Sequence, residues 1–478
     1  MAGAGRRAYL VGIGGIGMSA IAQWLVADGW NVSGTDVTGS EIVDRLQAAG
    51  IHVDIRREPR CPAGTDLLVF TDAVPPDHLL RTVARARGVR VVSYAELLGE
   101  QTRSRRTLAI AGSHGKSTTT ALAGLLLEAA GHDPWVVVGT RVPSWESGET
   151  SARDSARAGV GNFRRGASDI AVVEADEYRG HCLALHPAVS VITTTDYDHV
   201  DAFPTVESYR DVYRKFIAQT APAGLIVLQA SDHCTPEFSR RAAGRSLVTF
   251  GIATPKDGSP TYAATRPVLR ERRQEFEVFR GGKTCGTFTI PLPGEHLVLD
   301  ALAALAAVSP WDIPLDILQE VLAGFKGTWR RFEHVGVFDG APVISDYAHH
   351  PTELHAVITA TKAWYPNRRL LLVFQPHQKA RTRAFAGKFL DVLTLRTPDV
   401  LILSEVYDVA GREEAGDATS VEPWVVQLRE RGTTATFAPT LEAAEHEIRE
   451  QATPDDMILI AGAGTIDRVA RRIVTAHG

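Results

Sequence analysis

At 478 residues the chain is too long for one ordinary core, and about three domains of ~150 residues each are expected. Apolar residues make up 44% and charged residues 22%, an ordinary globular balance, and a formal net charge of −5 gives no footing for nucleic acid or for a membrane surface. Cys61, Cys182, Cys234 and Cys285 are widely spread and form no C-x-x-C pair, so reduced thiols of a cytosolic protein are expected, and no metal cluster.

The opening run, MAGAGRRAYLVGIGGIG, has no long apolar stretch ending in a small-residue cleavage site, and no run approaches the ~18 apolar residues of a membrane span, which predicts a cytoplasmic protein. Short β-branched runs alternate with helical stretches, the pattern of parallel sheets covered by helices. Strands are predicted at Ala8–Gly12, Leu67–Thr71, Leu108–Ala111, Ile170–Glu174, Val189–Thr193, Leu225–Leu228, Leu370–Phe374, Val400–Leu403 and Met457–Ala461. Two seams stand out: the polar, basic Gly99–Arg106 and Phe325–Arg331. Arg141–Ala167, rich in Gly, Ser and Arg and without apolar periodicity, reads as a long loop inside the middle domain.

The first motif is Gly12-x-Gly14-x-x-Gly17, directly after a strand and opening a helix. Such glycines allow a tight turn and let backbone N–H groups approach a phosphate. Asp36 follows 19 residues after Gly17, at the end of the next strand, NVSGTD, where an acid often holds a hydroxyl-rich group. The cluster points to a diphosphate-bearing nucleotide without saying which.

The second motif is the strongest. Strand Leu108–Ala111 leads into Gly112-Ser113-His114-Gly115-Lys116-Ser117-Thr118 and then a helix. The backbone and Lys116 suit the β- and γ-phosphates of ATP, and the Ser117 or Thr118 hydroxyl suits a Mg²⁺ shell. Ile110 stands where a full Walker spacing has its first glycine, so the loop is a shorter variant. Downstream, IAVVEADEY places Glu174 at a strand end, followed by Asp176 and Glu177, and TTTDYDHVDAF supplies Asp198, His199 and Asp201. Acids and imidazole at adjacent strand ends suit a magnesium site, while Asp198 and Asp201 also suit helix capping or solvation. ISDYAHHPTEL adds Asp346, Tyr347, His349, His350 and Glu353. VFQPHQKARTR adds His377, Lys379, Arg381 and Arg383, a basic group suited to an anionic substrate. Arg330, Arg331 and Glu333 lie at the second seam, where domain closure could carry them to the phosphate.

AGSHGKSTTT, VVEADEY, DHVDAF, FKGTWRRFE, ISDYAHHPTE and VFQPHQKARTR occur in the order of the Mur ligases, and with GIGGIGMS they resemble most the branch that adds L-alanine to UDP-N-acetylmuramate. The resemblance spans nearly the whole chain. It implies an α/β protein of three domains: a Rossmann-like UDP-sugar domain (1–104), a central ATP-binding P-loop-type domain with a mostly parallel sheet (105–327), and a Rossmann-like amino-acid domain (328–478). It moves the first glycine loop from a dinucleotide to a UDP diphosphate, with Gly14, Gly15, Ile16, Gly17 and Asp36 as substrate contacts. It implies ATP held by the loop 112–118 with His296 and Arg331, and Mg²⁺ held by Ser117, Glu174 and His199. Lys116, Glu174, His199, His349 and Arg381 become the catalytic set, His350 and His377 substrate contacts, and Asn162 a neighbour of the reacting carboxylate. A monomer or homodimer is expected.

The chain also departs from the family pattern. GEHLVLDALAA keeps His296 but has Leu297 and Asp300 where the family has Asn, and the Pro-His-Arg-Tyr-x-Arg stretch has become Pro376-His377-Gln378-Lys379-Ala380-Arg381. Thr194 replaces an Asn, and Tyr178 occurs more in the branch that recycles murein tripeptide. Besides that recycling ligase, the competing readings are a nucleotide-binding relative without turnover and an NAD-dependent dehydrogenase, which leaves Gly-Lys-Ser-Thr unexplained. Lys215 is not expected to be a carbamate.

Overall fold

The computed structural model describes residues 5–475 apart from 59, 73, 76, 147–158, 243, 255–258, 397 and 409–416. The chain builds three sheets, in chain order, with helices packed on them. The first has five parallel strands in the spatial order His52–Ile55, Asn31–Asp36, Arg7–Val11, Leu67–Phe70, Arg90–Ser93. Strand order reverses beside Arg7–Val11, so the glycine loop that follows it lies at the switch point where open α/β sheets bind ligands.

The second sheet has eleven strands. Its parallel centre runs Ser246–Ile252, Leu225–Gln229, Val189–Ile192, Arg106–Ala111, Ile170–Glu174, Trp135–Val137. Antiparallel strands extend both edges, Phe163–Arg164 at one and Arg273–Arg280 with Lys283–Ile290 at the other. Leu108, Ile110, Val172 and Val191 are buried on the central strands, because helices cover both faces and leave no solvent side. In the register, Ala111 pairs with Ile192 and Ile110 with Glu174, so three strand ends bring Gly112, Thr193 and Glu174 side by side. The alanine-rich helix Glu295–Ala307 is buried from Ala301 to Ala307; its small side chains let it pack closely into the same core as helix Lys116–Ala129.

The third sheet runs Glu333–Phe338, Ala341–Asp346, Asp456–Ala461, Arg369–Phe374, Val400–Ser404, Ala435–Ala438, parallel except for its first strand. All nine strands predicted from apolar runs are strands. At the polar seam Gly99–Arg106, helix Tyr94–Thr102, started by a Ser93–Glu96 capping box, ends and a fresh strand begins at Arg106. Within the expected loop Arg141–Ala167, Pro143–Glu146 forms one helical turn and Phe163–Arg164 pairs with Trp135–Val137; 147–158 lie outside the described residues. Among the described residues no helix is long and apolar enough to cross a membrane. The four cysteines are free thiols, three of them buried.

Candidate functional site

Helix Lys116–Ala129 starts directly after Gly115 with no side-chain cap, which leaves its first N–H groups for an anion. Gly112 and Gly115 have φ of +128° and +80°. A Cβ at Gly112 would fall 2.1 Å from Thr193 Oγ1, so conformation and space both demand glycine. The loop is fastened from the neighbouring strand end. Ser113 N–H donates to Thr194 O (2.9 Å), and His114 N–H donates to Thr194 Oγ1 (3.1 Å). Thr194, a departure in the family pattern, therefore holds the loop.

Lys116 Nζ lies 3.0 Å from Glu177 Oε2. Burial opposes its charge, but Glu177, Asp176 and Glu174 outweigh burial and keep the ammonium above the usual lysine range. Glu177 is fully buried, meets His199 Nε2 at 3.2 Å and accepts from the Tyr209 hydroxyl at 3.3 Å. Glu174 accepts the Gly139 N–H at 2.7 Å and bonds the Ser117 hydroxyl; burial pushes its carboxyl up against the pull of Lys116. Lys116 thus stands between two pairs, Ser117–Glu174 and Glu177–His199. Sequence reasoning put Glu174 forward and left Glu177 unassigned. Nothing in EADEY ranks Glu177 above Asp176; the turn after the strand decides which acid folds back to the lysine.

Both pairs fit a hard divalent cation. The donors are carboxylates, a hydroxyl and one imidazole, and thiolate is absent. Donor atoms of Asp176, Glu177 and His199 lie within 4.8 Å of one another, and His199 Nδ1 is buried without a hydrogen-bond partner among the described residues.

The third sheet faces this loop through charged side chains. Arg381 makes a forked pair with Asp198, Nε at 2.7 Å and Nη2 at 3.2 Å, with both residues buried. Burial works against the charge on Asp198, but Arg381 and His199 hold it well below the usual carboxylate range. Asp198, for which the sequence leaves a magnesium shell, helix capping and solvation open, is buried in an ion pair with Arg381 across the domain junction. Asp201 instead accepts from Tyr178 OH (3.0 Å). His114 of the loop lies 3.3 Å from Glu353 and 3.4 Å from Asp196, and Thr352 Oγ1 donates to Asp196 at 2.7 Å. Burial would lower the His114 imidazole, yet Asp196 and Glu353 raise it to about 9. Glu353 also meets His349 Nδ1 (3.1 Å) and Arg331 (3.3 Å). Burial pushes His349 down to about 3, so it is neutral. His350 caps helix Pro351–Trp364, and its ring lies 4.8 Å from that of His114. His377 lies between His349 and Tyr407, with ring centroids 5.7 Å from each.

Several expected anion contacts are committed elsewhere. Lys379 donates to Asp417 O (2.8 Å), and Arg383 meets the Asp417 carboxylate (2.6 Å). Arg330 bonds the carbonyls of Gly462 and Gly464, and Glu333 pairs with Arg471 at 2.7 Å. Of Arg330, Arg331 and Glu333, only Arg331 lines the cavity. Lys215 is exposed and paired with Asp211 at 2.7 Å.

That cavity, of about 260 Å³, opens beside the phosphate loop. His114, Gly115, Ser117 and Thr118 form one wall, His296, Leu297 and Asp300 a second, and Arg331, Asp346 and Glu353 a third. A purine nucleotide with its phosphates on the loop fits this setting: apolar walls with a few convergent polar groups.

At the first sheet, Gly12 (φ +77°) turns the chain and Gly15 caps helix Ile16–Ala27. Asp36 accepts the Gly14 N–H at 2.9 Å, so it buttresses the glycine loop itself. Gly17 packs against Tyr94, where a Cβ would come within 2.9 Å of the ring. Asn162, from the middle sheet, is fully buried on this helix: its Nδ2 donates to Ile16 O and to Ser19 Oγ (2.8 Å), and its Oδ1 accepts from Gln23 (2.8 Å).

Comparison with known proteins agrees with this geometry. Residues 7–106 match the Mur ligase family catalytic domain, 110–308 the Mur ligase middle domain and 330–464 the Mur ligase glutamate ligase domain. A UDP-N-acetylmuramate–L-alanine ligase from Sorangium cellulosum is 35% identical over 98% of this chain and 95% of its own length. One from Caldanaerobacter subterraneus subsp. tengcongensis is 32% identical over 98% and 97%. The crystal structure of a UDP-N-acetylmuramate–alanine ligase from Thermotoga maritima superposes with a TM-score of 0.81 at 27% identity, covering 98% of this chain and 99% of that one. The chain belongs to the Mur ligase family.

Proposed function

We propose that the chain is an ATP-dependent ligase that joins the lactyl carboxylate of UDP-N-acetylmuramate to L-alanine in peptidoglycan precursor synthesis. The observation that carries this reading is one junction: Lys116 with Glu177 and His199 on the middle sheet, facing Arg381 and His349 of the third sheet, beside a nucleotide-sized cavity. The reaction needs two transfers. The sugar carboxylate attacks the γ-phosphorus of ATP and ADP leaves; the amine of alanine then attacks the acyl phosphate and inorganic phosphate leaves. Both substrates of the first step are anions, so the site must supply cations and hold the groups in line.

The loop 112–118 carries the phosphates of ATP, and Lys116 leaves Glu177 to meet the γ-phosphate. Ser117, Glu174 and His199, joined by Glu177, hold Mg²⁺, which when bound neutralises charge on the phosphates. His296 and Arg331 border the nucleotide. His349, neutral through burial, and His350 and His377 border the incoming amine, with Arg381 positioned beside them for the acyl phosphate. Gly14, Gly15, Ile16 and Gly17, with Asp36 bracing them, take the diphosphate of the UDP-sugar, and Asn162 sits at the edge of its path. The working units are 1–104 for the UDP-sugar, 105–327 for ATP and 328–478 for the amino acid.

Phosphate release by the purified protein with ATP, Mg²⁺ and UDP-N-acetylmuramate, adding one amino acid or peptide at a time, tests the reading. Release that depends on L-alanine is expected. Release that depends only on the murein tripeptide would reassign the branch, and no release with any acceptor would leave a binding protein.

A further inference from the structure

Asp300 is a carboxyl in an unusual place. It lines the nucleotide cavity, is 8% exposed and has no side-chain hydrogen-bond partner among the described residues. It lies against the phosphate loop: a Cβ on Gly115 would fall 2.1 Å from Asp300 Oδ1. The basic groups nearby are held by other acids. Arg331 is paired with Glu353, His114 lies between Glu353 and Asp196, and Lys116 is on Glu177. His296 from the same helix and Asp346 from the third sheet complete the charged and titratable groups around the cavity. A carboxylate here would face the phosphates of a nucleotide on the loop without a cation of its own, which is costly for both.

We infer that Asp300 receives the nucleotide as an uncharged carboxylic acid, so that nucleotide binding is linked to retention or uptake of one proton at this group. The inference rests on the cavity being the ATP site. Burial already pushes the Asp300 carboxyl up to about 8, against the pull of Arg331 and His114. Added phosphate charge moves it in the same direction. The sign follows. A group that binds its proton more tightly in the complex gives full affinity below the free value, and affinity falls as pH rises above it. A neutral acid also presents a donor beside an acceptor, one donor fewer than the Asn of the family pattern, so near pH 7 the substitution keeps part of the hydrogen-bonding character of the position. The departure then adds a pH response that Asn lacks.

The test is calorimetric titration of the full chain with Mg²⁺ and ADP between pH 6.5 and 9.5, in buffers of different ionisation enthalpy. ADP is ionised throughout the upper half of this range, so its own titration does not mimic the effect. Wild type is expected to show near-constant affinity up to about pH 8 and then up to tenfold weaker binding per pH unit. Proton uptake should approach one per ADP at the alkaline end. Asp300→Asn should lose the fall in affinity and the proton uptake that set in near pH 8, keeping only the response of His114, which lines the same cavity and titrates at about 9. Equal pH profiles for wild type and variant, or no uptake above pH 8, overturn the inference while ADP still binds. Binding of ADP by neither protein at any pH overturns the ATP-site reading and the inference with it. If the variant folds poorly, proton uptake by wild type in the buffer series decides alone.

Discussion

The two junctions of this chain are built from different physics. Between the first and middle sheets runs one continuous apolar core: Leu10, Trp24 and Val69 share it with Ala109, Trp135 and Phe216. Trp24 stacks on Trp135 at 5.0 Å, Asn162 ties the two parts with neutral hydrogen bonds, and the ion pairs Arg141–Glu41, Arg45–Glu146 and His181–Asp72 stand around that apolar contact. Between the middle and third sheets the buried cores are distinct, touched across the seam only by partly buried side chains such as Tyr197, Val200 and Leu292, and much of the contact is ionic: Arg381 with Asp198, His114 with Glu353. An apolar seam is indifferent to bound charge. An ionic seam next to a phosphate loop responds to it, because a triphosphate competes for the same cations. On the proposed reading the first junction, dominated by its apolar core, serves as the platform for the sugar nucleotide, and the second is where ligand binding and domain contact exchange partners.

The sharpest way to test this division is Lys116→Ala. The loss of its charge at the phosphate should reduce phosphate release by on the order of 10³-fold. UDP-N-acetylmuramate affinity, measured by calorimetry, should stay unchanged, since that site lies on the other side of the fixed junction. Loss of both would break the separation of the two sites.

Next comes the buried pair. Asp198→Asn leaves the Arg381 guanidinium buried without its partner, a change of about 3–5 kcal/mol. That loss should fall on docking of the third sheet, seen as faster proteolysis at Phe325–Arg331. Asp198→Leu combined with Arg381→Met should recover much of the docking but none of the activity, which would separate the structural part of the pair from its chemical part.

The His114 contacts give the junction a pH window. Its imidazole is raised from 6.5 to about 9 by Asp196 and Glu353 against burial. A raised histidine stabilises fully below pH 6.5, progressively less up to about pH 9, and not at all above it. The shift corresponds to on the order of 3 kcal/mol. Protease sensitivity of the seam should rise across that window in wild type and stay flat in His114→Asn. A flat wild-type profile would mean the imidazole does not hold the two parts together.

How much of this was legible from residues alone follows the same division. Apolar runs such as LAIA and VVE are buried on both faces and could only be strands, so the parallel centres were readable. Arg273–Arg280 and Lys283–Ile290 alternate buried and exposed positions at the sheet edge, and charges in RQEFEVFR mask the pattern. The phosphate loop was readable because glycine, lysine and hydroxyl have a fixed spacing. The partners of Arg381, Lys379 and Arg383 were not, because Asp198 and Asp417 meet them only in the fold; a basic run states charge and never what already neutralises it. Glu177 was missed for a related reason, since a turn and not a spacing brings it to Lys116.

The smallest expected effect lies at the fixed junction and separates two roles of Asn162. Its side chain meets Ile16, Ser19 and Gln23, so Asn162→Ala removes three hydrogen bonds from a buried seam, while Ser19 Oγ still donates to Ile16 O and Gln23 Nε2 to Ser19 O. The cost is about 1–3 kcal/mol, and because no charge is involved it should not change between low and high salt. Docking at the other junction should weaken with salt, which sets the two apart in one thermal-melt series. If Asn162 is only a tie, kcat should follow the loss of folded protein and nothing more. A fall in kcat at an unchanged melting temperature would mean that, once the sugar nucleotide binds, this amide leaves the helix for the reacting carboxylate, and that the platform moves after all.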